Sequence, residues 1–413
     1  MQDTNPKQAA STETSLDPHV VDYGLLTLVC VHSLITQIVY SMLRVTISYR
    51  AVEIGLSSQW VGYIAGFSAI LPMIIAVGVG RYVDRGNDLV AVKIGAWLMI
   101  VACLGFRFSP SLTIELLGFT AVLGVGHLFL MVSHQMLCVR SAGNDASRET
   151  ALGHYMVAAA CGQGAGPLIV GWLGGAQLLP PTRLLFASAV VLSIFGLLLA
   201  YQLRASRIPS RVRQSSEHVT SLKELLATRG VPTLMIASII TVTAQDLLMI
   251  YMPLLGAERS IDVHHIGTLL MLRSASAMIS RMFYPPMIRA IGRVPLTVLT
   301  MVAAAGAMVL VASPIPLPVL YAAMIVGGFG LGIAATLSIS NMVDITPANA
   351  RAVALSLRIT GNRVGQVTFP VAAGVVAAAF GAGGIFGIMA LGLAASAISV
   401  KIVRGTGPGG GRR

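Results

Sequence analysis

Apolar residues are gathered into long blocks along the 413 residues of this chain, and shorter polar segments separate the blocks. Twelve blocks reach the length of about 20 residues that a helix needs to cross the hydrocarbon core of a bilayer. They predict an all-α membrane protein with twelve transmembrane helices, which cover approximately Tyr23–Leu43, Val61–Gly80, Val90–Phe106, Thr113–Val139, Ala151–Gly175, Arg183–Leu203, Val231–Leu255, Ile266–Pro285, Pro295–Ala312, Leu317–Val343, Ala352–Phe380 and Ile385–Val400. Composition agrees, since 11% of the residues are charged against about 25% in a soluble domain.

The longest polar segment lies between the sixth and seventh blocks and divides the chain near its middle. We expect two six-helix halves, at 22–203 and 231–402, joined by a cytoplasmic linker at 204–230. Within the linker the run SLKELLA predicts a short surface helix. The polar ends, 1–21 and 403–413, are predicted cytoplasmic tails, and the first lacks the apolar core of a secretory signal peptide.

The two halves share an internal repeat. A shift of 203 positions, without a gap, aligns six identical residues of the two halves. They are Arg148 with Arg351, Leu152 with Leu355, Gly162 with Gly365, Gln163 with Gln366, Pro167 with Pro370 and Gly171 with Gly374. Duplicated halves in a helical membrane protein usually place a binding site near the midplane, between the repeats.

Basic residues are distributed unevenly over the polar segments. With both termini in the cytoplasm, most Lys and Arg residues fall on the cytoplasmic side and only Arg50, Arg107, Arg183 and Arg259 on the other. This asymmetry follows the positive-inside rule, so the net charge of +12 indicates topology and an anionic leaflet rather than nucleic-acid binding. The four cysteines lie in apolar blocks without metal-ligand spacing, and neither a metal nor a cofactor is predicted.

Ionisable residues inside spans are costly in lipid and mark substrate or ion pathways. The third, sixth, ninth and twelfth spans have none away from their ends. At 1.5 Å per residue, Asp246 lies about 22 Å from the cytoplasmic end of its span, and Arg273 about 10 Å from the opposite end of the next, so the two share a depth. They could form an ion pair or compete for substrate and proton.

Arg363 falls near the middle of the eleventh span, about 16 Å from its start. Its guanidinium could bind a carboxylate or phosphate of the substrate, or instead pair with Asp246 or with helix carbonyls. Arg281 and Arg358 lie nearer the cytoplasm, where we expect a gate.

Uncharged polar groups add candidates for a cavity. His127 and His134 are two turns apart on one face of the fourth span, where they could carry protons or simply form packing hydrogen bonds. Gln37, Tyr40 and Gln245 could line the same cavity or bond between helices.

The twelve spans, the repeat and the segment GRYVDRG after the second span together resemble the major facilitator superfamily (MFS) of transporters. The resemblance implies two pseudo-symmetric halves, with the third, sixth, ninth and twelfth helices on the outside. It also implies a conformational latch formed by Gly80, Asp84 and Arg85, in which Asp84 contacts a helix N-terminus, Arg85 or Arg140. An ordinary charged loop is the alternative.

A second motif narrows the resemblance. The run GHYMVAAACGQGAGPLIVG is similar to the fifth-helix motif of drug-proton antiporters, with Gly153, Gly162, Gly166, Pro167 and Gly171 at its positions. Generic packing of small residues is the alternative. A third motif is mostly absent, because Thr120 stands in the fourth span where similar exporters tend to carry an Arg.

The sequence therefore predicts a secondary transporter rather than an enzyme. We expect proton-coupled efflux of small organic compounds by alternating access, from a functional monomer in a bacterial inner membrane. An importer or symporter of a small organic anion is the alternative, motivated by Arg273 and Arg363. A membrane-embedded enzyme is less expected, since no catalytic triad, metal-ligand spacing or phosphate-binding loop is found.

Overall fold

A computed structural model of the protein describes residues 21–108, 113–205, 222–228, 230–347 and 350–405. The first half contains the helices Tyr23–Glu53, Ser58–Tyr82, Asp88–Phe108, Thr113–Arg140, Asp145–Gly174 and Thr182–Gln202. The second contains Val231–Glu258, Val263–Ile291, Arg293–Ala312, Leu317–Ile345 and Arg351–Gly405. Nearly all of the two predicted tails and most of the linker lie outside the described residues.

Two glycines explain how these helices give twelve spans. Nine helical stretches of the described residues are long and apolar enough to cross a membrane, and two of them run through a glycine with positive φ. Gly86, with φ 95°, separates the second and third spans, and Gly381, with φ 69°, separates the eleventh and twelfth. Val263–Ile291 is the remaining span, less apolar because it carries several arginines. The predicted all-α fold is confirmed.

The first span is longer than predicted. It continues ten residues beyond Leu43 to Glu53, so Arg44 lies inside the helix instead of at its end. At its start Asp22 caps the helix by accepting a 3.0 Å hydrogen bond from the backbone N–H of Leu25. In the linker the structure has a short helix, Leu222–Ala227, which buries Leu225.

An even number of spans places the start of the first span and the end of the last on one face of the protein. We call it the terminal face, and the opposite face, with the connections at 54–57, 175–181, 259–262 and 313–316, the far face. The third span packs on the fourth and sixth, and the sixth on the first and third. Exposed apolar side chains such as Val191 and Leu198 of the sixth span, and Leu391 of the twelfth, suit contact with lipid.

The halves meet where the second span packs on the eleventh and the fifth on the eighth. At these contacts a Cβ added to Gly62 would collide with the carbonyl oxygen of Pro370, and one added to Gly267 with that of Pro167. A Cβ at Gly171 would lie 3.2 Å from the Cα of Gly267. Gly62 and Gly267 are each the fifth residue of their helices. The internal repeat thus forms two equivalent contacts, together called the seam, near the far face.

Candidate substrate and proton site

A cavity lies between the halves on the terminal side of the seam. It encloses about 1090 Å³ of space, its mouth included, which suits a small organic molecule. Spans of the first half contribute Gln37, Tyr40, Arg44, Ala65, Ser68, Ala69, Pro72, Gly124, His127, Leu128, Met131 and Gln163. The second half contributes Val242, Asp246, Ile250, Ile359, Asn362, Arg363 and Gln366.

Asp246 joins the halves across this cavity. Its Oδ1 accepts a hydrogen bond of 2.8 Å from Nη1 of Arg44, and its Oδ2 accepts one of 2.9 Å from Nε2 of Gln366. The side chains of Arg44 and Asp246 are 21% and 16% exposed, so the ion pair is largely withdrawn from solvent. Both partners that the sequence suggested for Asp246 are therefore incorrect for this conformation, since neither Arg273 nor Arg363 contacts its carboxylate.

Arg363 reaches Asp246 only indirectly. Its Nη1 donates 3.1 Å to Oε1 of Gln366, whose amide nitrogen donates to Asp246. Its Nη2 lies 3.9 Å from the sulfur of Met131, a weak acceptor on the first half. Among the described residues Arg363 has no carboxylate partner, so the cavity wall keeps an uncompensated positive charge.

The other three arginines lie away from the cavity wall. Arg273 is 5% exposed and its Nη2 donates 3.0 Å to Oγ of Ser274. Arg281 is exposed. Arg358 donates to Oγ of both Ser238 and Ser338, at 3.2 and 3.3 Å, inside the second half.

The two predicted histidines of the fourth span have different surroundings. His127 lines the cavity, where its ring stacks on Tyr40 with centroids 3.6 Å apart, and its Nε2 lies 3.1 Å from Nε2 of Gln37. His134 is 1% exposed and its Nε2 lies 2.6 Å from Nδ1 of His32, outside the cavity wall. Gln37, Tyr40 and His127 thus form one cluster, which His134 does not join. Gln245 is half-buried and is not among the described residues of the wall.

In the region of the predicted latch, the structure has a different ion pair from the expected one between Asp84 and an arginine. Arg140 pairs with Asp88 at 3.0 Å, and Asp88 is buried, whereas Asp84 and Arg85 are exposed. A Cβ at Gly80 would meet nothing within 4 Å. The close helix approach at Gly80 and the contact between Asp84 and Arg140 are therefore not present in this conformation, because this part of the terminal face is open.

The fifth-helix motif packs against two different spans. A Cβ at Gly162 would lie 2.5 Å from the carbonyl oxygen of Leu34, and one at Gly166 2.7 Å from the nitrogen of Met42, both in the first span. Pro167 and Gly171 instead form part of the seam. Gly153 is exposed, with open space around it. In the second half Gly365 packs on Ile239 and Thr243 of the seventh span, which repeats the arrangement of Gly162.

Sequence reasoning missed five polar residues of the wall, which are Arg44, Ser68, Gln163, Asn362 and Gln366. The predicted first span ends at Leu43 and so excludes Arg44. The apolar residues that follow Arg44 could have extended the predicted helix. Gln163 and Gln366 form a matched pair of the repeat, which was a usable signal. Asn362 had no signal beyond its place next to Arg363.

The architecture agrees with that of known transporters. Residues 29–255 and 234–411 match the family profile described as Major Facilitator Superfamily. No curated protein matches the chain significantly.

Solved structures with the same fold include a nucleoside transporter, NupG in its D323A mutant form, with a TM-score of 0.78 and 14% identity over 92% of this chain and 99% of that one. A bacterial homologue of the human lysosomal transporter Spinster, in an inward-facing and occupied conformation, gives 0.71 and 14% over 94% and 96%. A D-xylose-proton symporter gives 0.72 and 14% over 92% and 97%. Because the profile covers both halves, the chain belongs to the Major Facilitator Superfamily of transporters.

Proposed function

We propose that this protein is a proton-coupled secondary transporter that moves a small organic compound by alternating access. The observation that carries the proposal is the position of Asp246: a largely buried carboxylate in the central cavity, bonded to Arg44 of one half and to Gln366 of the other. Burying an ionisable group at this depth costs free energy, which favours a functional role for Asp246.

Protonation of Asp246 gives a physical coupling. Two unit charges 4 Å apart interact by about 4 kcal/mol at an effective dielectric constant of 20. Inverting a 99:1 equilibrium between two conformations takes about 5.5 kcal/mol. A proton on Asp246 removes most of its attraction for Arg44 and so weakens the contact between the first and seventh spans. Together with a bound substrate, this change is large enough to redistribute the two access states.

We assign the terminal face to the cytoplasm, on the strength of the basic residues near it. The seam then closes the far side, and the cavity is reached from the cytoplasm. The fifth-helix motif favours efflux in exchange for protons, and we expect a monomer in a bacterial inner membrane.

Symport of a small organic anion is the second candidate. Arg363 favours it, since it lines the cavity and has no carboxylate partner among the described residues. A D-xylose-proton symporter has the same fold.

Proteoliposomes with an imposed pH gradient test both candidates. Accumulation of a radiolabelled substrate, chosen from a thermal-shift screen of drugs and metabolites, should oppose the inward proton gradient for antiport and follow it for symport. Asp246→Asn should abolish gradient-driven accumulation and preserve exchange without a gradient, and Asp246→Glu should retain some accumulation. Wild-type accumulation by Asp246→Asn would contradict the coupling role.

A further inference from the structure

The wall of the second half presents hydrogen-bond donors to the cavity at two adjacent residues of the eleventh span, Asn362 and Arg363. Arg363 donates one hydrogen bond to Gln366, and a second donor of its guanidinium lies near the sulfur of Met131. Asn362 has its Oδ1 3.1 Å from Oγ of Ser238. Among the described residues nothing accepts from the amide nitrogen of Asn362.

The oxygen of this amide faces Ser238 in the structure. Nη1 of Arg358 lies 3.2 Å from Oγ of Ser238, and a guanidinium can only donate. The hydroxyl of Ser238 accepts from Arg358 and donates to Oδ1 of Asn362 at 3.1 Å, which is shorter than its 3.4 Å contact with Oγ of Ser338. This leaves the NH₂ group of Asn362 as the part that is free to bind a ligand. Arg358 and Ser238 are positioning residues in this arrangement.

The charges of the wall point the same way. Its described charged residues are Arg44, Asp246 and Arg363, and the first two neutralise each other. Behind the wall, one turn before Asn362 on the same span, Arg358 adds a second guanidinium that has no carboxylate partner among the described residues. An acceptor-rich, negatively charged group is the ligand that satisfies two adjacent donors in a wall with excess positive charge.

We propose that Arg363 and Asn362 form an anion subsite, which binds a carboxylate, sulfonate or phosphate group of the transported compound. The inference rests on the proposed function for its biological meaning, but the subsite itself can be measured without transport. Its failure is therefore distinguishable from a failure of the coupling role of Asp246.

Charged thiol reagents provide the test. In a background without the four native cysteines, Ile359→Cys places a thiol on the cavity wall one turn before Arg363, and Gln163→Cys places one on the opposite wall. Purified protein is treated with 2-sulfonatoethyl methanethiosulfonate or with the 2-trimethylammonioethyl reagent, and the two modification rates are compared.

We expect the sulfonate reagent to be favoured at position 359, with a rate ratio at least about fivefold higher than at position 163, since a unit charge at this range contributes about 1 kcal/mol or more. Arg363→Gln and, separately, Asn362→Asp should each lower the ratio towards that of position 163, whereas Arg363→Lys should preserve most of it. Asn362→Asp leaves Arg363 in place and decides the matter if Arg363→Gln does not fold. Equal ratios at the two positions, or a ratio unchanged by both substitutions, would overturn the subsite.

Discussion

The seam near the far face is built from equivalent residues of the two halves, whereas the charged residues of the cavity wall beside it have no equivalents in the other half. A shift of 203 positions relates Pro167 and Gly171 to Pro370 and Gly374. A glycine of the other half packs on each pair, Gly267 on the first and Gly62 on the second. The same shift relates Arg363 to Ala160 and Asn362 to Ala159. The repeat is kept where the halves touch backbone to backbone and is lost where charged groups line the cavity.

The difference has a physical reason. Two halves that rock about a central site need similar close-packed surfaces on both sides of the axis, and small residues permit that approach. A single asymmetric substrate needs different groups on the two walls. We therefore expect substitutions in the seam to act alike in both halves, and substitutions in the wall to act unequally.

The largest effect is expected from Gly267→Val and from its counterpart Gly62→Val. A branched side chain at either position collides with the backbone of the opposing half, so the far side cannot close. Overpacking costs about 1–3 kcal/mol or more, and substrate exchange should fall by more than about tenfold in both variants. Exchange rates in proteoliposomes measure this. Gly118→Val, in open space on the fourth span, is the control. Wild-type exchange in one of the two seam variants would break the equivalence.

A smaller and unequal effect is expected from Gln366→Ala and Gln163→Ala, the matched glutamines of the cavity wall. Gln366 bridges Arg363 and Asp246, and hydrogen bonds to charged groups are worth about 1.5–3 kcal/mol. Gradient-driven transport should fall by about tenfold or more in Gln366→Ala. Gln163→Ala, which removes no such bridge, should stay within about twofold of wild type, the scale of a surface substitution. Equal losses would show that the wall is as symmetric as the seam.

A smaller effect on transport than that of Gln366→Ala is expected from Asp84→Asn. The carboxylate is exposed in this conformation, so the substitution should leave the thermal stability unchanged and slow transport by about twofold to fivefold, as expected for one helix-dipole contact of up to about 1 kcal/mol. Asp88→Asn is the comparison, since it breaks the buried pair with Arg140 and should lower the stability by about 1–3 kcal/mol. Wild-type transport by Asp84→Asn at matched expression would remove Asp84 from the latch.

The sequence was sufficient for the fold because span length, apolarity and the repeat are local or periodic signals. It also located Asp246, Arg363, His127, Gln37 and Tyr40, all of which line one cavity. Their partners could not be predicted, since contacts between spans depend on helix rotation. Asp246 bonds to Arg44 rather than to the arginines suggested by depth alone, and Arg140 bonds to Asp88 rather than to Asp84.

An error in a predicted helix end also limited the prediction of the site residues. Ending the first span at Leu43 hid Arg44, the residue that ties Asp246 to the other half. His134 shows the reverse problem. Its spacing from His127 is correct for one helix face, yet its side chain contacts His32 within the first half. Periodicity gave the face of the helix but not which neighbouring helix each position meets.

The central claim is that the two halves must separate on the far side for each transport cycle. An engineered disulfide tests it directly. A Cβ at Gly164 would lie 3.4 Å from the Cβ of Ser274, a separation close to that of natural disulfides, and the two residues belong to opposite halves.

Gly164→Cys combined with Ser274→Cys, in a background without the native cysteines, should form this bond on mild oxidation. The measurement is substrate exchange in proteoliposomes before oxidation, after oxidation and after reduction, with each single substitution as the control. The account predicts that exchange stops when the bond forms and returns when it is reduced. Exchange at the unlinked rate, with the bond formed in nearly all molecules, would contradict it.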